Sequence, residues 1–238
     1  IKTNSNIFFT SNRIDTKWGH ISLVESMLEL MRSVKESKRG YDYVWLISGQ
    51  DYPIKSNEYI QDFFANNRGY NFIEFIPKDD ERYRRYLKRN QTWYPTWGAS
   101  PKFIMRVLRK IYNYMTGGMK HSLFKRKNIL GVEWFFGSQW FAITMETMDY
   151  VLNEVDNKPY LQYFKNCICP DESFFQTIIG NSQFANKVKD NLVYVDWSEG
   201  KKNPKILLIE DYQQLKSSDK LIARKFETVD ENIAQLAK

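Results

Sequence analysis

The chain has 238 residues, of which 42% are hydrophobic and 26% charged, a length and composition ordinary for one sizeable globular domain. A net charge of +7 and a pI near 9.2 favour an anionic partner and leave nucleotide phosphate, a membrane surface and nucleic acid all open. No apolar run approaches the ~20 residues that a membrane-spanning helix needs, which argues against a spanning segment in this sequence.

The first fifth of the chain predicts a βαβ unit. Residues 6–10 predict a short strand, and residues 41–47 form a near-continuous apolar and aromatic run that suits a strand buried on both faces. Between them, four apolar residues at helical spacing predict a helix: Ile21, Val24, Leu28 and Met31. We therefore expect two parallel strands joined by a right-handed crossover.

A polar turn follows the second predicted strand. Gly49 permits a tight backbone turn, and Pro53 opposes simple continuation of the strand. A helical pattern then begins, with one apolar face made by Ile60, Phe63 and Phe64. This order places Asp51 beyond the carboxyl end of a strand, where α/β proteins bind ligands. A loop acid that only caps the next helix is the alternative interpretation.

The middle of the chain contains a predicted strand, a segment with charges of both signs and a long stretch with basic residues only. Residues 71–75 predict a strand, and the highly charged residues 78–85 predict a solvated helical turn with local ion pairs. No acidic residue occurs between Gln91 and Val132, whereas eight basic residues do: Lys102, Arg106, Arg109, Lys110, Lys120, Lys125, Arg126 and Lys127. Apolar residues interleave with the first four and predict an amphipathic basic helix. Its charged face is either simply solvated or directed at a membrane surface or an anionic acceptor.

The last part of the chain returns to strands and helices. Residues 132–136, 139–144 and 190–197 predict strands, and a helix is expected to begin near Glu146. An apolar helical run follows residues 170–172, and residues 228–231 fit a capping box. Cys167 and Cys169 are separated by a single residue, so a disulfide between them would be strained. Together with His20 and His121 they do not make a convincing set of zinc ligands. We predict one α/β domain over residues 1–238 in a reducing compartment.

Six motifs in order resemble the core-2/I-branching N-acetylglucosaminyltransferases and protein xylosyltransferases, glycosyltransferase family 14, in a bacterial-type form. They are WG at 18–19, LISGQDYPIKS at 46–56, NFIE at 71–74, GSQWF at 137–141, PDESFF at 170–175 and ARKF at 223–226. The resemblance implies an α/β, GT-A-like Rossmann-type domain with a mostly parallel central sheet. An earlier strand and helix that help hold uridine in the family have no counterpart here, so we expect the domain to be N-terminally incomplete.

The resemblance also implies chemistry without a metal or other cofactor. No Asp-x-Asp string occurs in the chain, and the family uses basic side chains to stabilise the departing diphosphate. Lys225 matches the family's diphosphate-binding lysine, with Arg224 beside it. The second basic residue is Lys202 if residues are counted without gaps from Asp211, or Lys205 if one short gap is allowed. An exposed charge at a strand end is the alternative interpretation of Lys225.

Glu172, in the family's Pro-Asp-Glu motif, is the predicted catalytic base that deprotonates the acceptor hydroxyl. Its position before a helix also fits capping or dipole complementation, and Asp171 is the expected structural acid. The resemblance implies that seven further residues bind the donor or the acceptor sugar: Ser48, Gln50, Asp51, Glu74, Arg82, Ser138 and Trp140.

These features predict an inverting transferase that moves N-acetylglucosamine from a UDP-sugar to a hydroxyl of a glycan, glycolipid or glycoprotein. UDP-xylose is the alternative donor. A degenerate family member that only binds glycan, and a basic nucleic-acid-binding module, are the rival hypotheses, although no recognised nucleic-acid motif is present. We expect a cytoplasmic protein, peripheral on the inner face of the membrane.

Overall fold

The computed structural model describes residues 6–95, 103–115, 126–201 and 203–227. Its contacts divide the chain into two compact units. The first unit comprises Ile1–Val44, Phe75–Gln139 and Met145–Asn186, and the second comprises Trp45–Glu74, Trp140–Thr144 and Lys187–Lys238. A single domain over residues 1–238 stays a prediction, and the predicted capping box at 228–231 lies outside the described residues.

Eight α-helices occur among the described residues. They are α1 Ser22–Glu36, α2 Asn57–Asn66, α3 Glu81–Gln91, α4 Phe103–Met115, α5 Met145–Asn157, α6 Tyr160–Phe164, α7 Phe174–Gly180 and α8 Tyr212–Ser217. The helices predicted from apolar spacing correspond to α1, α2, α4 and α7, and the helix expected to begin near Glu146 corresponds to α5. The side-chain oxygen of Ser56 accepts a hydrogen bond from Tyr59 N and caps α2, and Asp80 caps α3 in the same way.

Helices α1, α5 and α7 pack together in the first unit. On α1, Val24, Leu28 and Met31 recur every three or four residues, and all three are buried. All residues of helix α7 before Gly180 are buried. The rings of Phe174 and Phe164 pack edge to face, with 5.1 Å between their centres. Helix α7 therefore lies in the packed core of the first unit, and the segment that precedes it is attached to that core.

The described strands form two small mixed sheets. Their bounds are β1 Tyr43–Trp45, β2 Asp51–Pro53, β3 Asn71–Ile73, β4 Phe141–Thr144, β5 Val188–Lys189, β6 Val193–Val195 and β7 Ile222–Arg224. One sheet has the order β1-β4-β3-β5 and the other β2-β7-β6. Strand β3 pairs antiparallel with β4 and parallel with β5, while β7 pairs antiparallel with β2 and parallel with β6. A mostly parallel central sheet is therefore not confirmed.

Three predicted strand assignments differ from the structure. Residues 6–10 and 132–136 lie outside any strand, and Ile7, Phe8 and Phe9 are exposed rather than packed. The predicted βαβ unit therefore lacks its first strand. Strand β1 is only three residues long and half-buried, whereas a longer strand buried on both faces was expected.

The segment at Asp51 is a strand as well as a turn. Pro53 ends β2, which is an edge strand of the three-stranded sheet. A proline lacks the N–H group that an interior strand must donate, and an edge position tolerates that loss. This is why the chain continues in an extended form where the sequence suggested only a break.

Candidate functional site

A hydrogen-bonded turn in the second unit gathers Ser48, Gln50 and Asp51. Ser48 N donates to Asp51 Oδ2 at 2.7 Å, and Asp51 N donates back to Ser48 O at 3.1 Å. Gln50 N also donates to Ser48 Oγ at 3.3 Å. Local bonds of this kind fix a short polar side chain relative to its own backbone. The three predicted sugar-site residues of this motif are therefore held in one rigid turn.

Strand pairing brings Arg224 to this turn. Asp51 lies opposite Arg224 in the antiparallel pair of β2 and β7, with Arg224 Nε 3.5 Å from Asp51 Oδ1. Both of these atoms are buried and lack a hydrogen-bond partner among the described residues. Burial raises the pKa of Asp51, against the hydrogen bond from Ser48 and the charge of Arg224, and burial lowers the pKa of Arg224. The pair is thus a close but imperfectly satisfied charge contact.

Trp140 completes the cluster in the second unit. The guanidinium of Arg224 lies over the Trp140 ring, 4.3 Å from its centre. The indole itself is only 6% exposed and packs in a core cluster with Val193 and Ile222. Its ring is therefore a support for Arg224 rather than an open platform for a sugar.

The two predicted diphosphate lysines that the structure describes differ in their surroundings. Lys205 Nζ lies 2.5 Å from Oδ1 of the buried Asp211, and the hydrogen bond to that carboxylate raises the pKa of Lys205. Lys225 is half-buried, and its carbonyl accepts a hydrogen bond from Leu207 N at 2.9 Å. Lys202 lies outside the described residues. Lys205 is thus engaged by a carboxylate, and Lys225 follows Arg224 directly at the end of β7.

The predicted base lies in the first unit, in a 3-10 turn at Pro170–Glu172 that immediately precedes α7. Glu172 N donates to Cys169 O at 3.2 Å, and Glu172 O accepts from Gly137 N at 3.0 Å. Next to this bond, Ser138 O accepts a hydrogen bond from Gln176 Nε2 at 2.7 Å. The backbone therefore joins the GSQWF and PDESFF motifs, and Ser138 contributes through its carbonyl in this contact.

Arg89 is the residue at this site that the sequence analysis missed. Its guanidinium donates a hydrogen bond to Glu172 Oε2 and lies over the Tyr86 ring, 4.2 Å from the centre. Burial works to lower the pKa of Arg89, but the charge of Glu172, the neighbouring Cys169 and Tyr86 and the hydrogen bond to Glu172 together outweigh it, and the pKa is raised. The ring and guanidinium are three residues apart on α3, a spacing that puts side chains on one face. That spacing was the available signal, hidden by the many other charges of the segment.

Glu172 lines a shallow cleft in the first unit. Its other lining residues come from α3, the segment before β4 and the residues that flank the 3-10 turn: Tyr86, Arg89, Asn90, Phe136, Ile168, Cys169 and Ser173. The Glu172 side chain keeps 31% of its surface exposed, so solvent reaches it despite the ion pair with Arg89. The charge-assisted hydrogen bond from Arg89 holds this carboxylate in a defined position.

Asp171 occupies a different environment from its neighbour. It is 6% exposed, and its Oδ1 has no hydrogen-bond partner among the residues the structure describes. Burial, followed by the charge of Glu172, raises the pKa of Asp171 to about 7. Two adjacent acids thus differ: one is ion-paired and partly exposed, and the other is buried and retains its proton more strongly.

The last two predicted sugar-site residues lie in different units. Glu74 is half-buried and directly follows β3 in the second unit. Arg82 belongs to the first unit, where its Nη2 lies 2.8 Å from Asp80 Oδ2, the carboxylate that caps α3. Hydrogen bonds from Arg82 lower the pKa of Asp80. Within the described ranges, no three or more His, Cys, Asp or Glu side chains are grouped so as to hold a metal ion.

Comparison with known proteins identifies the relatives of this chain. The family model described as Core-2/I-Branching enzyme matches residues 2–216. Xylosyltransferase oxt of Drosophila melanogaster is 25% identical over 246 residues, which cover 94% of this chain and 26% of that protein. Human xylosyltransferase 2 is 27% identical over 197 residues, covering 81% of this chain and 20% of that protein.

Rat xylosyltransferase 1 is similar to the chain at the same level, with 26% identity over 197 residues and 22% of its length covered. The chain thus spans between a fifth and about a quarter of the length of these relatives. They are animal proteins and lend no support to a bacterial-type assignment. The mixed α/β architecture is compatible with a GT-A-like glycosyltransferase domain. Because the family match extends over most of the chain, the protein belongs to the core-2/I-branching enzyme family, glycosyltransferase family 14.

Proposed function

We propose that the chain is an inverting glycosyltransferase with a GT-A-like fold that moves a sugar from a UDP-sugar to an acceptor hydroxyl of a glycan, glycolipid or glycoprotein. One observation carries the proposal. Within a chain that belongs to family 14, the glutamate of the Pro-Asp-Glu motif lines a shallow cleft, and its carboxylate is held by a partly buried cation, Arg89. A positioned and ionised carboxylate is what a general base requires.

In this proposal Glu172 accepts the proton of the acceptor hydroxyl. The acceptor oxygen forms its bond to the anomeric carbon while the bond from that carbon to UDP breaks, and UDP leaves with the electron pair. Because attack comes from the face opposite UDP, the configuration at the carbon inverts. Arg89 positions the carboxylate, and the Tyr86 ring beneath the guanidinium holds Arg89 in turn.

The diphosphate acquires charge as it leaves, and we assign basic side chains rather than a metal to that charge. Lys225 is the first candidate, with Arg224 beside it on β7. Lys205 is a weaker candidate because its ammonium is engaged by Asp211, and this favours Lys202 as the second cation. Arg224, kept in place by Trp140 and Asp51, presents a planar guanidinium suited to phosphate oxygens.

The remaining residues are assigned to the sugars. Ser48, Gln50 and Asp51 form one fixed turn, and we assign this turn to the donor sugar. Glu74 and Arg82 are assigned to the acceptor, as is Ser138. In this assignment Trp140 acts through Arg224, since its ring is buried.

The donor is proposed to be UDP-N-acetylglucosamine, with UDP-xylose as the alternative. The resemblance of the motifs to the core-2/I-branching N-acetylglucosaminyltransferases favours the first, and the names of the xylosyltransferase relatives favour the second. A UDP-release assay with both donors, in EDTA and without added metal, tests the proposal together with its metal independence. We expect turnover with one donor at a rate unaffected by EDTA. UDP binding without release of UDP from either donor would contradict an enzymatic role, and activity lost in EDTA and restored by Mn²⁺ would contradict the metal-free chemistry.

A further inference from the structure

Helix α4 exposes a continuous apolar face. Its exposed apolar and aromatic side chains are Phe103, Ile104, Val107, Leu108, Ile111 and Tyr114, of which Phe103 is 71%, Ile104 68% and Tyr114 89% exposed. Neighbouring residues of a helix are about 100° apart around its axis, so these positions fall within an arc of roughly 140°. Single exposed apolar residues are ordinary on a protein surface, but six along one helix face mark an interaction site.

The helix is attached to the first unit through its other side. Tyr112 Oη donates to Trp93 O at 2.7 Å, and the Tyr112 ring lies 6.2 Å from that of Trp93 and 6.5 Å from that of Tyr94. Met105, one heptad earlier on the same side, is half-buried. The exposed apolar arc is therefore not the face with which α4 packs on its own chain.

Basic residues lie beside the apolar arc. Arg106 and Lys110 are exposed and occupy the sector next to Phe103, with the Arg106 guanidinium 5.8 Å from the Phe103 ring. Since residues 91–132 contain no acid, nothing in this stretch of sequence offsets that charge. An apolar face bordered by lysine and arginine complements an anionic lipid surface, which offers hydrocarbon and negative headgroups together.

We propose that α4 lies in the plane of a membrane surface and anchors the protein to anionic lipid. The apolar arc enters the headgroup boundary, and Arg106 and Lys110 contact the lipid phosphates. With 13 residues, α4 is about 20 Å long, less than the ~30 Å of a bilayer core. None of the helices in the described part of the chain is long and apolar enough to cross a membrane. Nucleic acid is the less suitable partner, because it has no counterpart for exposed isoleucine and leucine side chains.

Co-sedimentation with vesicles tests this surface. We expect the protein to bind vesicles of phosphatidylcholine with phosphatidylglycerol, to bind less at high salt, and to bind pure phosphatidylcholine vesicles at least about tenfold more weakly. Two double variants should each reduce binding to the anionic vesicles at least about tenfold: Ile104→Ser with Ile111→Ser, and Arg106→Glu with Lys110→Glu.

Matched controls separate the α4 surface from general charge and exposure. Arg84→Glu with Lys88→Glu makes the same charge change at the same spacing on α3, and Leu30→Ser removes an exposed apolar side chain from α1. Both should bind as the parent does, and thermal unfolding checks that every variant is folded. Equal binding by the α4 variants and the parent would overturn the proposal. So would equal binding to neutral and anionic vesicles, or binding only to an oligonucleotide that the serine variants leave unchanged.

Discussion

Two adjacent acids in the 3-10 turn before α7 differ in burial and therefore in their chemical roles. Glu172 is partly exposed and held by Arg89, whereas Asp171 is buried and its pKa is raised to about 7. A carboxylate that remains ionised can accept a proton from substrate, and a buried acid that keeps its proton cannot do so as readily. The local environments therefore favour Glu172 over Asp171 as the base, in agreement with the proposed mechanism.

Replacement of Glu172 by glutamine should abolish sugar transfer while UDP still binds. Glutamine keeps the shape of the side chain but cannot accept the proton, and loss of a general base typically lowers the rate by about 10²–10⁴-fold. Rates of transfer and calorimetry with UDP measure the two effects. Glu146→Gln, an exposed position on α5, is the matched control and should behave as the parent. Transfer within a few-fold of the parent rate would remove Glu172 from this role.

Arg89 should act through Glu172 and not on the substrate. Loss of the cation in Arg89→Ala makes the Glu172 carboxylate easier to protonate, so the acidic limb of the pH–rate profile should move to higher pH. Arg89→Lys keeps the charge and should shift that limb less. Arg85→Ala removes another guanidinium near the Tyr86 ring, 5.5 Å from its centre, and is the control. A lower rate with an unchanged pH profile would indicate a purely structural role for Arg89.

At the scale of single elements, the regular helices were the most predictable part of the fold. The spacing of Val24, Leu28 and Met31 defined α1 because a helix buries residues along one stripe. Residues 6–10 and 132–136 have strand-like composition, yet a strand forms only where another strand pairs with it. Local sequence carries no information on that partner.

The candidate sites also depend on partners that are distant in the sequence. The motifs selected Glu172 and Asp51 as candidate site residues, but they did not show which residues form ion pairs with them. Glu172 and Arg89 are 83 positions apart in the sequence, and Asp51 meets Arg224 only through the register of β2 and β7. Contacts of this kind depend on how elements pack, which spacing within one element does not reveal.

The end of β7 should determine phosphate binding. If Lys225 neutralises the diphosphate, Lys225→Ala should weaken UDP binding by roughly ten- to hundredfold, the range for loss of a charged hydrogen bond. Uridine has no phosphate and should bind the variant and the parent alike. Calorimetry with both ligands measures this, and Lys216→Ala, an exposed lysine on α8, is the control. Equal weakening for UDP and uridine would mean that Lys225 supports the fold instead.

At the scale of the whole molecule, Asp171 should make stability depend on pH. Its pKa is raised from 3.8 in the unfolded chain to about 7 in the fold, so between these values the folded state binds more protons. The contribution of Asp171 to the free energy of unfolding is therefore fully present below about pH 4, and it is lost as the pH rises through about 7. From pH 5 to pH 8 the loss from this group is about 2–3 kcal/mol in the free energy of unfolding.

Urea unfolding at pH 5 and pH 8 measures this dependence. Asp171→Asn cannot ionise, so its stability should fall less over this interval than that of the parent. Asp62→Asn, at an exposed position of α2, should follow the parent. Identical pH dependence in the Asp171→Asn variant and the parent would show that Asp171 ionises in the fold as it does in the unfolded chain.

Pro53 has a further consequence, which concerns aggregation. Strand β2 is at the edge of its sheet, and an edge strand offers unpaired N–H and C=O groups with which another chain can pair. Pro53 removes one donor from that edge, and β2 is only three residues long. A short edge that contains proline is a poor template for intermolecular β-pairing. The residue that ends the strand thus also helps to keep neighbouring copies of the protein from joining sheet to sheet.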